Sequence, residues 1–105
     1  GATTMTEIAA ETLVTQADDV VSAEIDDEVV MLRLASNAYY STDDIGAEIW
    51  RAIETPISVR ALCDKMMARY DVSPDICYQD VVAFLNKARA EGTIRIVAPD
   101  TRSDS

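Results

Sequence analysis

The spacing of apolar residues changes period once along this chain, and that change limits what it can fold into. From Val20 to Tyr40 the pattern is one of alternation; from Ile45 onward apolar residues recur at intervals of three and four. The first period belongs to strands and the second to helices. The junction is the stretch "NAYYSTDD", Asn37 to Asp44, where two tyrosines sit side by side in a short extended run. Neighbours in a strand point to opposite faces, so at most one of Tyr39 and Tyr40 can enter a one-sided core. A bulge at the preceding turn would invert the parity, which leaves open which ring it is.

Upstream of the junction, "VVSAEI" (20–25) and "EVVMLRL" (28–34) both alternate. Val21, Ala23 and Ile25 share one face, Val30, Leu32 and Leu34 another, with Glu24 and Arg33 opposite. Asp26-Asp27 between them reads as a tight turn, so the pair is a hairpin. A second turn follows at "ASN", with Asn37 as the residue that tolerates a positive φ. "AYYS" is then a short third strand of an antiparallel meander.

Three helices follow. The first offers Ser41, Thr42 and Asp43 as alternative N-caps and carries Ile45, Ile49 and Ile53 in one stripe beside Trp50. Thr55-Pro56 ends it. Ser58 caps the second, whose stripe is Val59, Leu62, Met66 and Tyr70. "SPD" at 73–75 is a strong third start, with a cap, a proline and an acid in succession, and Gly92 is its stop. The third helix buries Cys77, Val81, Phe84, Leu85 and Ala88; Tyr78, Val82 and Arg89 widen its apolar zone beyond what one contact requires. That extra width serves either a second packing neighbour or a surface groove. "TIRIV" adds a last short strand. Three strands followed by three helices with short links give an α+β fold class, a winged helix-turn-helix-like domain with a three-stranded antiparallel N-terminal sheet.

The domain expected from this pattern spans residues 20–97. Residues 1–19 lack periodicity and read as a flexible segment, with Gly1–Thr4 as a tag scar ahead of Met5; residues 98–105, "APDTRSDS", read as a disordered tail. No apolar run approaches the ~18 residues of a membrane span, so the chain is expected to be cytoplasmic and to bind no membrane. Nineteen acids against nine bases give a net charge of −10, which disfavours nucleic acid as a partner, because phosphate binding needs clustered Lys and Arg. Two cysteines, Cys63 and Cys77, and no histidine do not complete a structural zinc site; both are expected to be reduced, small buried hydrophobes. No cofactor, metal or catalytic residue is expected. The acid pairs Asp26-Asp27 and Asp43-Asp44 lie where turns and caps favour acids, and no nucleophile–base pair is visible without histidine.

The wording of the helical half goes beyond pattern. An aromatic pair precedes a D/N-x-x-G-x-x-I-W segment, here Asp43, Gly46, Ile49 and Trp50. A short second helix ends in Tyr70, D-V-x-x-F-L follows at Asp80, Val81, Phe84 and Leu85, and Gly92 precedes an apolar Ile94. In order and spacing these resemble the PqqD-like family, over most of the chain but not its ends. Asn37 stands where the family has a glycine, and Thr42 and Ala88 where it has leucines; Ala88 leaves a smaller side chain beside the expected groove.

The resemblance implies a free-standing, non-catalytic module that recognises the leader of a ribosomally made precursor peptide. Such a module presents its peptide to modifying enzymes, a leader peptidase or cyclase in lasso peptide clusters. The leader would add as a β-strand to the third strand and lie against the third helix, which makes Asn37, Ala38, Tyr39, Tyr40, Ser41, Tyr78, Val81, Val82, Leu85 and Arg89 the expected binding residues. An exposed edge also allows a weak homodimer beside the monomer. The alternative is a winged-helix DNA-binding regulator with its third helix in the major groove, against which the net charge argues.

Overall fold

The structure, a computed structural model, describes residues 8–97. In chain order its elements are β1 (Leu13–Gln16), β2 (Val20–Ile25), β3 (Glu28–Arg33), β4 (Ala38–Asp43), α1 (Asp44–Ala52), β5 (Ile57–Ser58), α2 (Val59–Arg69), α3 (Pro74–Glu91) and β6 (Ile94–Val97). Two antiparallel sheets form, β2-β3-β4 and β5-β1-β6. The mixed α+β class and the order of meander then helices are as the periodicity requires.

The meander is set by two turns that need a left-handed residue. Asp26 (φ 56°) and Asn37 (φ 57°) fill those positions, and the Asn37 amide donates to the Arg33 carbonyl at 2.8 Å. Asn and Asp tolerate this region better than other side chains. Register then places Ser22, Met31 and Tyr40 in one row across the sheet, and Val21, Leu32 and Tyr39 in the next. The first row faces the helices: Val29 and Met31 are buried, and Tyr40 packs against the core. The alternating set Val21, Ala23, Ile25, Val30 and Leu32 therefore looks away from the core, and the buried residues of β3 are the ones between them. Pattern alone cannot show this, because β3 is apolar at both parities.

The strand β4 also runs two residues further than "AYYS". Ser41 and Thr42 pair with Val30 and Val29 and do not cap α1; the helix starts abruptly at Asp44, itself at φ 51°. Its buried side, Ala47, Ile49, Trp50 and then Ile53, covers the inner face of the meander. The Trp50 indole N–H donates to Ser22 Oγ at 3.2 Å, and Arg51 pairs with Glu24 at 2.8 Å. Ile45, expected in the same stripe, is 40% exposed. In α2, Val59, Leu62 and Met66 are buried and Tyr70 is half-buried. Ser58 and Ser73 both cap as expected, accepting from the amides of Ala61 and Ile76, with Pro74 opening α3 and Gly92 (φ 80°) closing it.

The domain boundary expected at residue 20 lies inside the fold. Val14 of β1 is fully buried, and Ile8 joins the same core. The reason is the end of α1, whose last carbonyls lack helical partners. The Thr15 hydroxyl and the Gln16 amide both donate to the Ile53 carbonyl, at 2.8 and 3.0 Å, and the Gln16 side chain donates to the Trp50 carbonyl at 2.9 Å. A four-residue strand gives no legible alternation, so the sequence hides it. The tag scar expected at 1–4 and the tail expected at 98–105 lie outside the described residues.

If β1 is integral, Val14→Ala, which deletes about two buried carbon groups at ~0.8 kcal/mol each and leaves a cavity, should lower stability by roughly 2 kcal/mol. Urea unfolding followed by Trp50 fluorescence measures this. An unchanged midpoint would mean that residues 13–16 are dispensable to the fold.

Candidate functional site

Among the described residues β4 pairs with β3 alone, so its other edge carries backbone groups that none of their strands pairs. Such an edge templates strand addition unless something blunts it. Here α3 runs beside it. The Tyr40 hydroxyl donates to the Glu91 carbonyl at 3.4 Å, fixing the C-terminal end of α3 to the strand. Further along, Phe84 reaches the start of α1: a Cβ on Gly46 would lie 3.2 Å from the Phe84 ring and would collide with Thr42 Oγ1. Glycine is needed at position 46 because strand, helix start and aromatic ring converge there.

The junction of α1, the end of α2 and α3 carries a small, almost wholly apolar pocket of ≈ 40 Å³, lined by Ile45, Met66, Tyr70, Val72, Cys77 and Val81 with Asp80 alongside. It lies just past the Asp43 end of β4 and one turn of α3 from Phe84. At the opposite end Lys87 and Glu91 form an ion pair at 3.4 Å. The strand edge, the half-buried Phe84, the 40% exposed Ile45 and this pocket together make a shallow groove with an apolar end. It offers main-chain hydrogen bonds along one wall and space for a small apolar side chain, which is the equipment for holding an extended peptide.

The structure divides the expected binding residues. Asn37, Ala38, Tyr39, Tyr40 and Ser41 lie together along the β4 edge and its entry turn. Tyr40 points inward to the core and α3, while Tyr39, 71% exposed, stands on the other side of the sheet. Val81 is buried but borders the pocket; Leu85 is fully enclosed in the core. Val82 and Phe84 are two residues apart on α3 and so roughly 160° around the helix from each other. Because Phe84 turns toward Gly46 and Thr42, Val82, with Tyr78 and Arg89 on its side of α3, lies away from the β4 edge. Phe84 meets the β4–α1 junction, and Ile45 and Asp80 line the apolar pocket. The signal for Phe84 was present in the sequence as the glycine at 46, which marks a close approach by something large.

The two thiols sit where α2 meets α3. The Cys77 thiol donates to the Cys63 carbonyl at 3.7 Å, and both side chains are buried and unbridged. Burial, and then the neighbouring Cys77, push the Cys63 thiol up to about 11. No group of three or more potential metal-ligating side chains forms among the described residues, and none of their helices is long and apolar enough to cross a membrane.

Comparison with known families matches residues 28–94 to "Coenzyme PQQ synthesis protein D (PqqD)". The chain belongs to this family. Among solved structures it is similar to "TbiB1 in Complex with the TbiA(beta) Leader Peptide", at 32% identity and a TM-score of 0.75, covering 81% of this chain and 99% of that one. It also resembles "Lasso peptide synthetase B1 complexed with the leader peptide", at 18% identity and a TM-score of 0.71, covering 78% and 96%; at that identity the likeness concerns the fold. Comparison with curated proteins gives no match.

Raising the Cys63 thiol above its unfolded value of about 8.5 means that the folded state holds its proton more tightly. The associated stability is fully present below that pH and is lost as pH climbs toward 11. Urea midpoints measured from pH 8 to 11 should therefore fall less steeply for Cys63→Ala than for the parent chain. Parallel slopes would show that Cys63 ionises as freely in the fold as in the unfolded chain.

Proposed function

We propose that this protein is a non-catalytic adaptor of lasso peptide maturation, which captures the leader of a precursor peptide as an added strand on β4. The observation that carries this reading is the unpaired β4 edge beside Phe84 and the apolar pocket at Ile45. The similar structures support it, since both are complexes with leader peptides. The adaptor would hold the leader and leave the following segment available to a leader peptidase or cyclase of the same pathway.

The energetics suit a reversible carrier. About four main-chain hydrogen bonds contribute ~1 kcal/mol net each, and two or three buried leader side chains ~1.5–3 kcal/mol each. Ordering the peptide costs ~2–5 kcal/mol. The surplus reaches the roughly 8 kcal/mol of a micromolar complex and falls well short of the roughly 16 of a picomolar one. A carrier that must release its peptide after processing is served by the first value.

Recognition of duplex DNA by α3 has no support. The middle of that helix bears the exposed Asp80 and Asn86, with Lys87 already paired to Glu91, and the net charge of −10 repels phosphate.

Isothermal titration with a synthetic leader tests the proposal. Binding in the micromolar range is expected, weakened about tenfold or more by Phe84→Glu and within about threefold of the parent for Val82→Glu. Thermal unfolding of both variants controls for folding. Leader N-methylated at alternate residues should lose affinity in one register and not the other. Absence of heat with the leader, or equal losses for both variants, would overturn the assignment of the groove.

A further inference from the structure

Met66 borders two spaces. On one side is the apolar pocket at Ile45; on the other is an open cleft of ≈ 420 Å³ between α1 and α2. Apolar Ala52, Met66 and Ala68 line this cleft together with Arg51, Lys65, Arg69 and Glu48. Ile45 and Glu48 are about one turn apart on α1, as are Met66 and Tyr70 on α2. The apolar end of the leader groove and the mouth of the cleft therefore lie side by side.

The charges of the cleft indicate its occupant. The chain has 19 acids against nine bases, yet Arg51, Lys65 and Arg69 meet here around one lining carboxylate, Glu48. Arg51 is engaged from the hairpin: Glu24 accepts two hydrogen bonds from it, at 2.8 and 3.2 Å, and Glu48 and Asp27 act on it as well. Arg69 pairs with Glu48 at 3.1 Å. Lys65, exposed on α2, has no ion-pair or hydrogen-bond partner among the described residues. An unanswered positive charge thus stands beside apolar surface in a molecule of net charge −10. A compact phosphate is disfavoured, because Arg51 and Arg69 belong to the last turns of their helices. Carbonyl ends face outward there, whereas phosphate seats are built from amides at helix N-termini. A carboxylate on a peptide side chain reaches Lys65 from outside, while the peptide's apolar atoms cover Ala52 and Ala68.

We infer that the α1–α2 cleft binds the stretch of the precursor that runs on from the leader strand, and that this stretch carries Asp or Glu. The inference rests on the reading that β4 takes the leader. A strand added in the sense of the existing antiparallel sheet leaves the Asp43 end of β4 by its N-terminal side. From Ile45 to Arg51 is about 9 Å along α1, or roughly three extended residues at ~3.4 Å each. The first residues out pass the exposed Asp44 and Asp80, which repel an acid. The third and fourth reach Lys65 and Arg69, where an acid is held. A carboxylate rejected by most of this surface and accepted at one cleft adds selectivity that main-chain bonds along β4 do not supply.

Calorimetry on the full chain tests this with a synthetic leader trimmed to the segment that pairs with β4. Three extended forms carry Glu-Glu-Ala-Ala or Gln-Gln-Ala-Ala before that segment, or Ala-Ala-Glu-Glu after it. The first should bind about fivefold more tightly than the second at low ionic strength, and the gain should fall as salt is added. Lys65→Glu, at an exposed position, should bind the trimmed leader as the parent does, which shows an intact groove, and should lose the preference for glutamate. Equal affinity of the first two forms, a preference that survives Lys65→Glu, or a gain from the C-terminal extension alone would each overturn the inference and leave the strand reading standing. A trimmed leader that gives no heat with the parent would instead remove the strand reading, and this inference with it.

Discussion

The two-residue pleat of the meander, fixed in register by the Asp26 and Asn37 turns, is the constraint on which the rest of this molecule depends. It sends Ser22, Met31 and Tyr40 to the helices and Val21, Leu32 and Tyr39 to the opposite side. A slip of one residue would exchange the two sets and would withdraw Val29 and Met31 from beneath α1. The hydrogen bonds from Trp50 to Ser22 and from Tyr40 to the Glu91 carbonyl both lie on the inward parity, and so both require this register. The same parity leaves β4 with one free edge whose two sides differ: a helix-lined groove within, an exposed apolar surface without.

That asymmetry explains why adjacent tyrosines occur at the end of the sheet. Tyr40 has the polar tip that a half-buried aromatic needs, and it uses that tip to hold the last turn of α3 at the strand. Tyr39 has no such partner among the described residues, and its ring is exposed on the other side. One residue organises the groove and the next contributes to a surface. Substitution at either position thus acts on a different property, although the two are neighbours in sequence.

The helical half was largely legible in the sequence because its signals are local: Ser58 and Ser73 before apolar periods, Pro74 at a first turn, Gly92 after a last one. The strands were less so. Leu13–Gln16 is too short to show alternation and is held by carbonyls at the end of α1, about forty residues downstream. β3 is apolar at both parities, so its buried face had to come from tertiary packing. On α3 the broad apolar zone pointed to Val82, whereas the groove side is defined by a contact between Phe84 and a glycine in another helix. A single helix carries no record of which neighbour each of its flanks will meet. What the sequence did record was the need for a small residue at position 46.

The shallowness of the groove follows from the need to let the peptide go. A carrier with a deep pocket would retain its peptide; the ≈ 40 Å³ space at Ile45 accepts little more than one small side chain, so main-chain bonds along β4 must share the affinity with leader side chains laid shallowly along the groove. Main-chain bonds are insensitive to sequence, which leaves discrimination between peptides to the few side chains that alternate into the groove. Those that alternate outward contribute nothing to binding the adaptor itself.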